Sequence, residues 1–204
     1  MKLAVIDLDG VVANVDARFA RAEEVKLALL SDRSIQLGER ERTATNRYWQ
    51  EVFNPEYVPL DTLIDGTGRA LDDVEEEGYD IVFLTSRPEA MRQATLAWLD
   101  EHGAWENIAI AEKRQLVMKA PAFQYVKTTV WKAGMVQTLS ALYGASRVLV
   151  VDDEQANLNE IIKYATVQPV VPGLMIARSL SEAVAKLNGT WVEPDPFLPE
   201  FPSD

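Results

Sequence analysis

Five short runs rich in Val, Ile and Leu recur along the chain without polar alternation: 2–6, 80–84, 107–110 or 115–118 as alternatives for the third, 147–151, and 167–171. A strand with one wet face alternates apolar and polar residues, so runs of this kind predict strands buried on both faces, as in a parallel sheet. Pro169 lies inside the last run and suits it to a sheet edge.

Helical patterns separate the runs. They cover 60–77, stopped by Gly78; 88–102, with Pro88 at a first helical position and Gly103 past the end; 131–143, closed by Gly144; 158–165; and 181–187, closed by Asn188-Gly189. Alternation of this sort predicts an α/β fold, a Rossmann-like, doubly wound and mostly parallel sheet whose ligand site lies at the carboxyl ends of its strands. The segment 14–61 breaks the rhythm with two helical stretches, 16–30 and 40–53, around a polar linker. It reads as a small helical, cap-like insertion within one domain spanning 1–190. Residues 191–204 form a tail in which "EPDPFLPEFPSD", with four prolines and four acids, is too poor in helix and strand formers to pack alone.

Composition removes several chemistries. The chain has no cysteine and a single histidine, His102, which excludes disulfides, thiolate metal sites and a multi-histidine centre within one chain. Asp7 interrupts the N-terminal apolar run and no later run approaches ~18 apolar residues, so the reading is a cytoplasmic protein without a signal peptide or membrane anchor. The net charge of -12 opposes broad binding to nucleic acid. Against that sum, 113–151 is free of acids and carries Lys113, Arg114, Lys119, Lys127, Lys132 and Arg147, with Phe123, Tyr125 and Trp131 between them. Such a stretch suits either a solvated face or a short single-stranded end.

The polar residues gather where strands end. "LAVIDLDG" places Asp7 and Asp9 after the first run, "VFLTSRP" places Thr85, Ser86 and Arg87 after the second, and "VLVVDDE" places Asp152 and Asp153 after the fourth. In a parallel sheet these ends face one side, so as many as four carboxylates, Asp7, Asp9, Asp152 and Asp153, meet there. Four anions in one cleft need compensation, and with oxygen donors only, a Mg²⁺ ion sharing its coordination with water and a substrate phosphate fits better than zinc. Asp7 or Asp9 then serves as a nucleophile toward phosphorus. Each residue also has a plainer role open to it. Asp-Gly is a turn signal with Gly10 able to take positive φ, Ser86 suits a helix N-cap, and Asp152 and Asp153 suit the start of the following helix. Arg87 suits a substrate phosphate or surface acids, and Lys127 rivals Lys132.

Taken in order, "VIDLDGVV", "VFLTSR", Lys132 and "VLVVDD" resemble the four motifs of the haloacid dehalogenase-like (HAD) phosphohydrolases. The resemblance implies Asp7 as nucleophile, Asp9 as general acid/base, Thr85 on the transferring phosphoryl group, Lys132 orienting nucleophile and phosphate, and Asp152 and Asp153 supporting Mg²⁺. Gly10, Ser86 and Arg87 are the candidates for substrate contact. Within that family, 81–157 together with the first motif look like the 3′-phosphatase domain of phage-type polynucleotide kinases, which implies a nucleotide or a 3′-phosphorylated nucleic acid end as substrate. No G-x-x-x-x-G-K-[ST] pattern occurs, so kinase activity has no support. Two other readings share these residues: a phosphoacceptor signalling domain, whose acidic pair comes early and whose acceptor follows later, and a catalytically silent scaffold on the same fold.

Overall fold

The computed structural model describes residues 1–32, 34, 36–104, 115–167, 171 and 173–192. Among these residues the strands β1 (Lys2–Ile6), β2 (Ala13–Asn14), β3 (Thr62–Leu63), β4 (Tyr79–Pro88), β5 (Gln115–Lys119), β6 (Arg147–Val151) and β7 (Leu174–Ala177) are interspersed with helices α1 (Asp16–Ser31), α2 (Leu37–Val52), α3 (Thr67–Glu76), α4 (Arg92–Glu101), α5 (Thr128–Leu142), α6 (Gln155–Val167) and α7 (Leu180–Leu187). Five strands form one sheet in the order β5-β4-β1-β6-β7, with every pairing parallel. β1 is central, and the chain crosses from one side of it to the other after β5, so the ends of β4, β1 and β6 converge on one crevice.

The non-alternating runs have the expected cause. Along β1, Ala4 and Ile6 pack with Leu71 and Val74 of α3, Trp98 and Leu99 of α4 and Ala183 of α7. Leu3 and Val5 face the opposite layer, with Val136 and Leu139 of α5 and Leu158 and Ile161 of α6. Both faces are covered, and at about 25 cal/mol per Å² of apolar area the two layers supply the main force holding the sheet. No described helix is long and apolar enough to cross a membrane.

Several boundaries differ from the sequence reading. The third strand is the 115–118 alternative; 107–110 lies outside the described residues, as does the 193–204 tail. The last strand is Leu174–Ala177, not 167–171: Val167 ends α6, and 168–170 lie outside the described residues. Leu, Met and Ala carry weak strand preference, so this strand owes its conformation to pairing with β6. The 60–77 pattern divides into the end of a 3₁₀ turn (Pro55–Leu60), β3, and α3 entered through Gly66 at φ 81°. The helix expected from Pro88 begins at Arg92, because Pro88 is still extended and paired with Lys119 across an irregularity in the β4–β5 ladder.

The insertion is a pair of packed helices, α1 and α2, and β2 pairs antiparallel with β3 at its base. Its root is held by one side chain. Arg18 of α1, fully buried, donates from Nη1 to the Val52 carbonyl at 2.9 Å and from Nε to Asp61 at 2.9 Å.

Candidate active site

Immediately after β1, the Asp7 N–H still pairs with Val151 of β6 at 2.9 Å. The chain then turns sharply, with the N–H groups of Val11, Val12 and Ala13 all donating to the Leu8 carbonyl. Gly10 makes this possible at φ 80°, and the position also excludes a side chain: an added Cβ would lie 2.2 Å from an Asp153 carboxylate oxygen. Gly10→Ala is therefore expected to lower stability by more than about 1 kcal/mol. Denaturant unfolding checks the effect; an unchanged midpoint would remove the close approach.

Lys132, on α5, is buried and reaches two carboxylates, Asp7 Oδ2 at 2.6 Å and Asp152 Oδ2 at 2.7 Å. Its rival Lys127 sits exposed at the N-terminal edge of α5. Asp152 is fixed further by the Glu154 N–H at 3.1 Å and by Asn157 Nδ2 at 2.9 Å. Burial raises the Asp7 carboxyl to about 7; Lys132 opposes the rise, and Asp152 and Asp9 add to it. Burial acts to lower the Lys132 ammonium, but Asp7 and Asp152 outweigh it and hold the group above its ordinary range. Burial, then Asp152 and Glu154, raise Asp153.

Asp7, Asp152 and Asp153 each offer an oxygen, and these atoms lie within 4.8 Å of one another. Three carboxylates against one ammonium leave about two formal negative charges, and the donors are hard oxygens. This set fits a divalent cation of the Mg²⁺ type.

Asp9 does not join that cluster. Its Oδ1 accepts from Arg87 Nε at 2.8 Å, from Arg87 Nη2, and from Arg18 Nη2 at 3.1 Å. Burial acts to raise its carboxyl, but Arg87 and Arg18 prevail and hold it below the usual range. Among the described residues every hydrogen bond to Asp9 falls on Oδ1, and the residue lines the cavity described below. The same two arginines also bind buried Asp61, Arg18 at 2.9 Å and Arg87 at 2.7 Å. Arg87 thus meets buried Asp61 and partly exposed Asp9, where the sequence offered a substrate phosphate or surface acids, and its Nη1 reaches Thr95 at 3.3 Å.

A cavity of about 740 Å³ opens over these groups, and Asp7, Asp9, Gly10, Ser86, Lys132 and Asp153 line it. Ser86 faces the cavity from within β4 and caps no helix. Thr85 is fully buried, its hydroxyl accepting the Arg87 N–H at 3.2 Å.

Three members of this arrangement escaped the sequence reading: Arg18, Asp61 and Asn157. Arg18 leaves a trace, since it falls at helical spacing with Ala22, Val25 and Leu29, a charge placed on an otherwise apolar stripe. Asn157 lies five residues after Asp152, which one turn of helix brings back toward it. Asp61 leaves no comparable mark.

No family model matches the sequence, and no curated protein matches it. Solved structures do. A HAD-superfamily hydrolase from Ehrlichia chaffeensis has 10% identity and a TM-score of 0.58, with 93% of this chain and 98% of that chain covered. A haloacid dehalogenase-like family hydrolase from Streptococcus pneumoniae has 11% identity and a TM-score of 0.57, with 90% and 97% covered. A chain of the Pnkp1/Rnl/Hen1 complex has 17% identity and a TM-score of 0.50, with 86% of this chain but 45% of that chain covered. The protein has the fold of the haloacid dehalogenase-like hydrolases.

Proposed function

We propose that the protein is a Mg²⁺-dependent phosphomonoester hydrolase that works through an aspartyl-phosphate on Asp7. The observation that carries this reading is Lys132 bridging Asp7 and Asp152 beside Asp153, at the ends of β1 and β6, with Asp9 two residues along on a separate support. An Asp7 oxygen attacks phosphorus and the bond to the leaving oxygen breaks. Lys132 orients the attacking carboxylate and the incoming phosphate. Water then attacks the phosphorus, Asp9 Oδ2 takes its proton, and the bond from Asp7 to phosphorus opens. Asp7, Asp152 and Asp153 would hold a divalent cation, which when bound would supply Lewis-acid polarisation of the phosphoryl group and screening between the two anions.

Asp9, held ionised by its arginines, is ready as the base of the second step. An aryl leaving group departs without a proton in the first. An alkyl one needs Asp9 protonated, which an anionic phosphate beside Oδ2 favours, since like charge raises a carboxyl pKa. Ser86 and the Gly10 turn contact the substrate, and Thr85 supports that wall from beneath. The α1–α2 pair acts as the cap that selects the leaving group, and the setting is cytoplasmic.

Phosphate release tests the proposal, using nucleoside monophosphates, a 3′-phosphorylated oligonucleotide and an aryl phosphate, each with Mg²⁺ and with chelator. Release that needs Mg²⁺ is the expected result. No release from any of them, together with no Mg²⁺ binding, would replace the enzyme with a silent scaffold.

A further inference from the structure

The catalytic cavity has a second wall that the phosphate chemistry does not use. Trp49 and Phe53 of α2 and its C-terminal edge, with Phe19 of α1, line the same space as Asp7 and Asp9. Trp49 is 49% exposed. Its ring is nonetheless fixed: it stacks on Phe53 at 5.8 Å and 20°, and Tyr48 meets it edge-on at 5.1 Å. Tyr48 in turn holds Phe19 at 6.5 Å and 71°. A large ring held rigid and left half open beside the reacting groups is a platform for another flat ring, because offset stacking needs a fixed, accessible face.

Charge sets the size of what can lie there. Among the described residues, Asp7, Asp9, Asp16, Asp153 and Glu154 line the cavity against one base, Lys132. Of the acid-free stretch, Thr128, Thr129 and Lys132 reach it, while Lys119 is occupied with the Val126 carbonyl at 2.7 Å. One phosphate with its cation is compensated in such a site, whereas further backbone phosphates meet an excess of carboxylates and no second base among the described lining residues. A volume of about 740 Å³ suits one small ligand.

We infer that Trp49, backed by Phe53, stacks on the base of the leaving group, so that the substrate is a nucleoside monophosphate. The inference rests on the phosphomonoesterase reading above and narrows its substrate.

The test compares kcat/KM for nucleoside monophosphates, a hexose phosphate and a 3′-phosphorylated oligonucleotide in wild type, Trp49→Ala and Trp49→Phe, all with Mg²⁺. The wild type is expected to prefer the mononucleotide over both others. Trp49→Ala should cut its preference over the hexose phosphate by about tenfold or more, the range of one lost base stack. The loss should appear chiefly in KM, and Trp49→Phe should restore most of it. A readout without turnover is quenching of tryptophan emission by a nucleoside monophosphate in Asp7→Asn, reduced when Trp49→Phe is added. An equal fall for mononucleotide and hexose phosphate would reduce Trp49 to a structural role. A wild-type preference for the hexose phosphate or the oligonucleotide would likewise overturn the assignment while leaving the hydrolase standing. Quenching without release of phosphate from any ester would do the reverse, keeping the base site and removing the hydrolase.

Discussion

Asp7→Asn is expected to remove phosphatase turnover by a thousandfold or more, on the order seen when a covalent nucleophile is lost, while the protein stays folded. The substitution keeps the shape of the side chain and one of its two accepting oxygens, which now serve the Leu8 N–H at 2.9 Å and Lys132 at 2.6 Å. It also removes one of two like charges, since Asp7 and Asp152 share one buried ammonium. The melting temperature should therefore hold within about 5 °C, measured by circular dichroism. Asp9→Asn separates the two carboxylates. With an aryl phosphate it should still release one equivalent of phenol in a rapid burst, then stall for want of a base to activate water. A wild-type rate in Asp7→Asn would remove Asp7 as nucleophile, and the absence of a burst in Asp9→Asn would mean that Asp9 is needed before the leaving group departs.

Arg87→Ala should destabilise the fold by about 3–5 kcal/mol, the usual cost of breaking a buried ion pair from one side. Arg87 is fully buried, and its guanidinium holds Asp9, Asp61 and Thr95 together. Its loss leaves buried Asp61 and partly exposed Asp9 with Arg18 alone, so the penalty is that of a stranded charge as well as lost hydrogen bonds. Urea unfolding reads the effect. Arg87→Lys keeps the charge without the planar fork that spans both acids, and it should lie between wild type and Arg87→Ala. A change under about 1 kcal/mol in Arg87→Ala would mean that the pairing merely offsets its own desolvation.

The two predictions draw on parts of the site that differed in legibility. Asp7, Asp152 and Lys132 could be read because each stands at a position that local pattern defines, the end of an apolar run or the opening turns of a helix. In a parallel sheet those positions converge by topology, so order along the chain carries most of the geometry. The choice of Lys132 over Lys127 turned on where α5 begins, and that boundary lay three residues earlier than the helical pattern indicated, at Thr128 rather than Trp131. The last strand was misread because Val167 and Val171 outweighed Leu174–Ala177 by composition, although pairing with β6 decides which segment becomes a strand.

What the sequence determined by itself, then, was the parallel α/β framework and the carboxylates at its strand ends, since both follow from apolar periodicity within short windows. What only the tertiary structure decided was how those carboxylates are divided. Asp9 is set apart by Arg87, 78 residues away, and by Arg18 from the inserted helices, while Asp61 joins Arg18 across 43 residues. The aromatic wall formed by Trp49, Phe53 and Phe19 likewise arises from how α1 and α2 fold back over the sheet. Pairing between distant charges and rings leaves no local period to read, because it is the packing of whole elements that brings their side chains within reach.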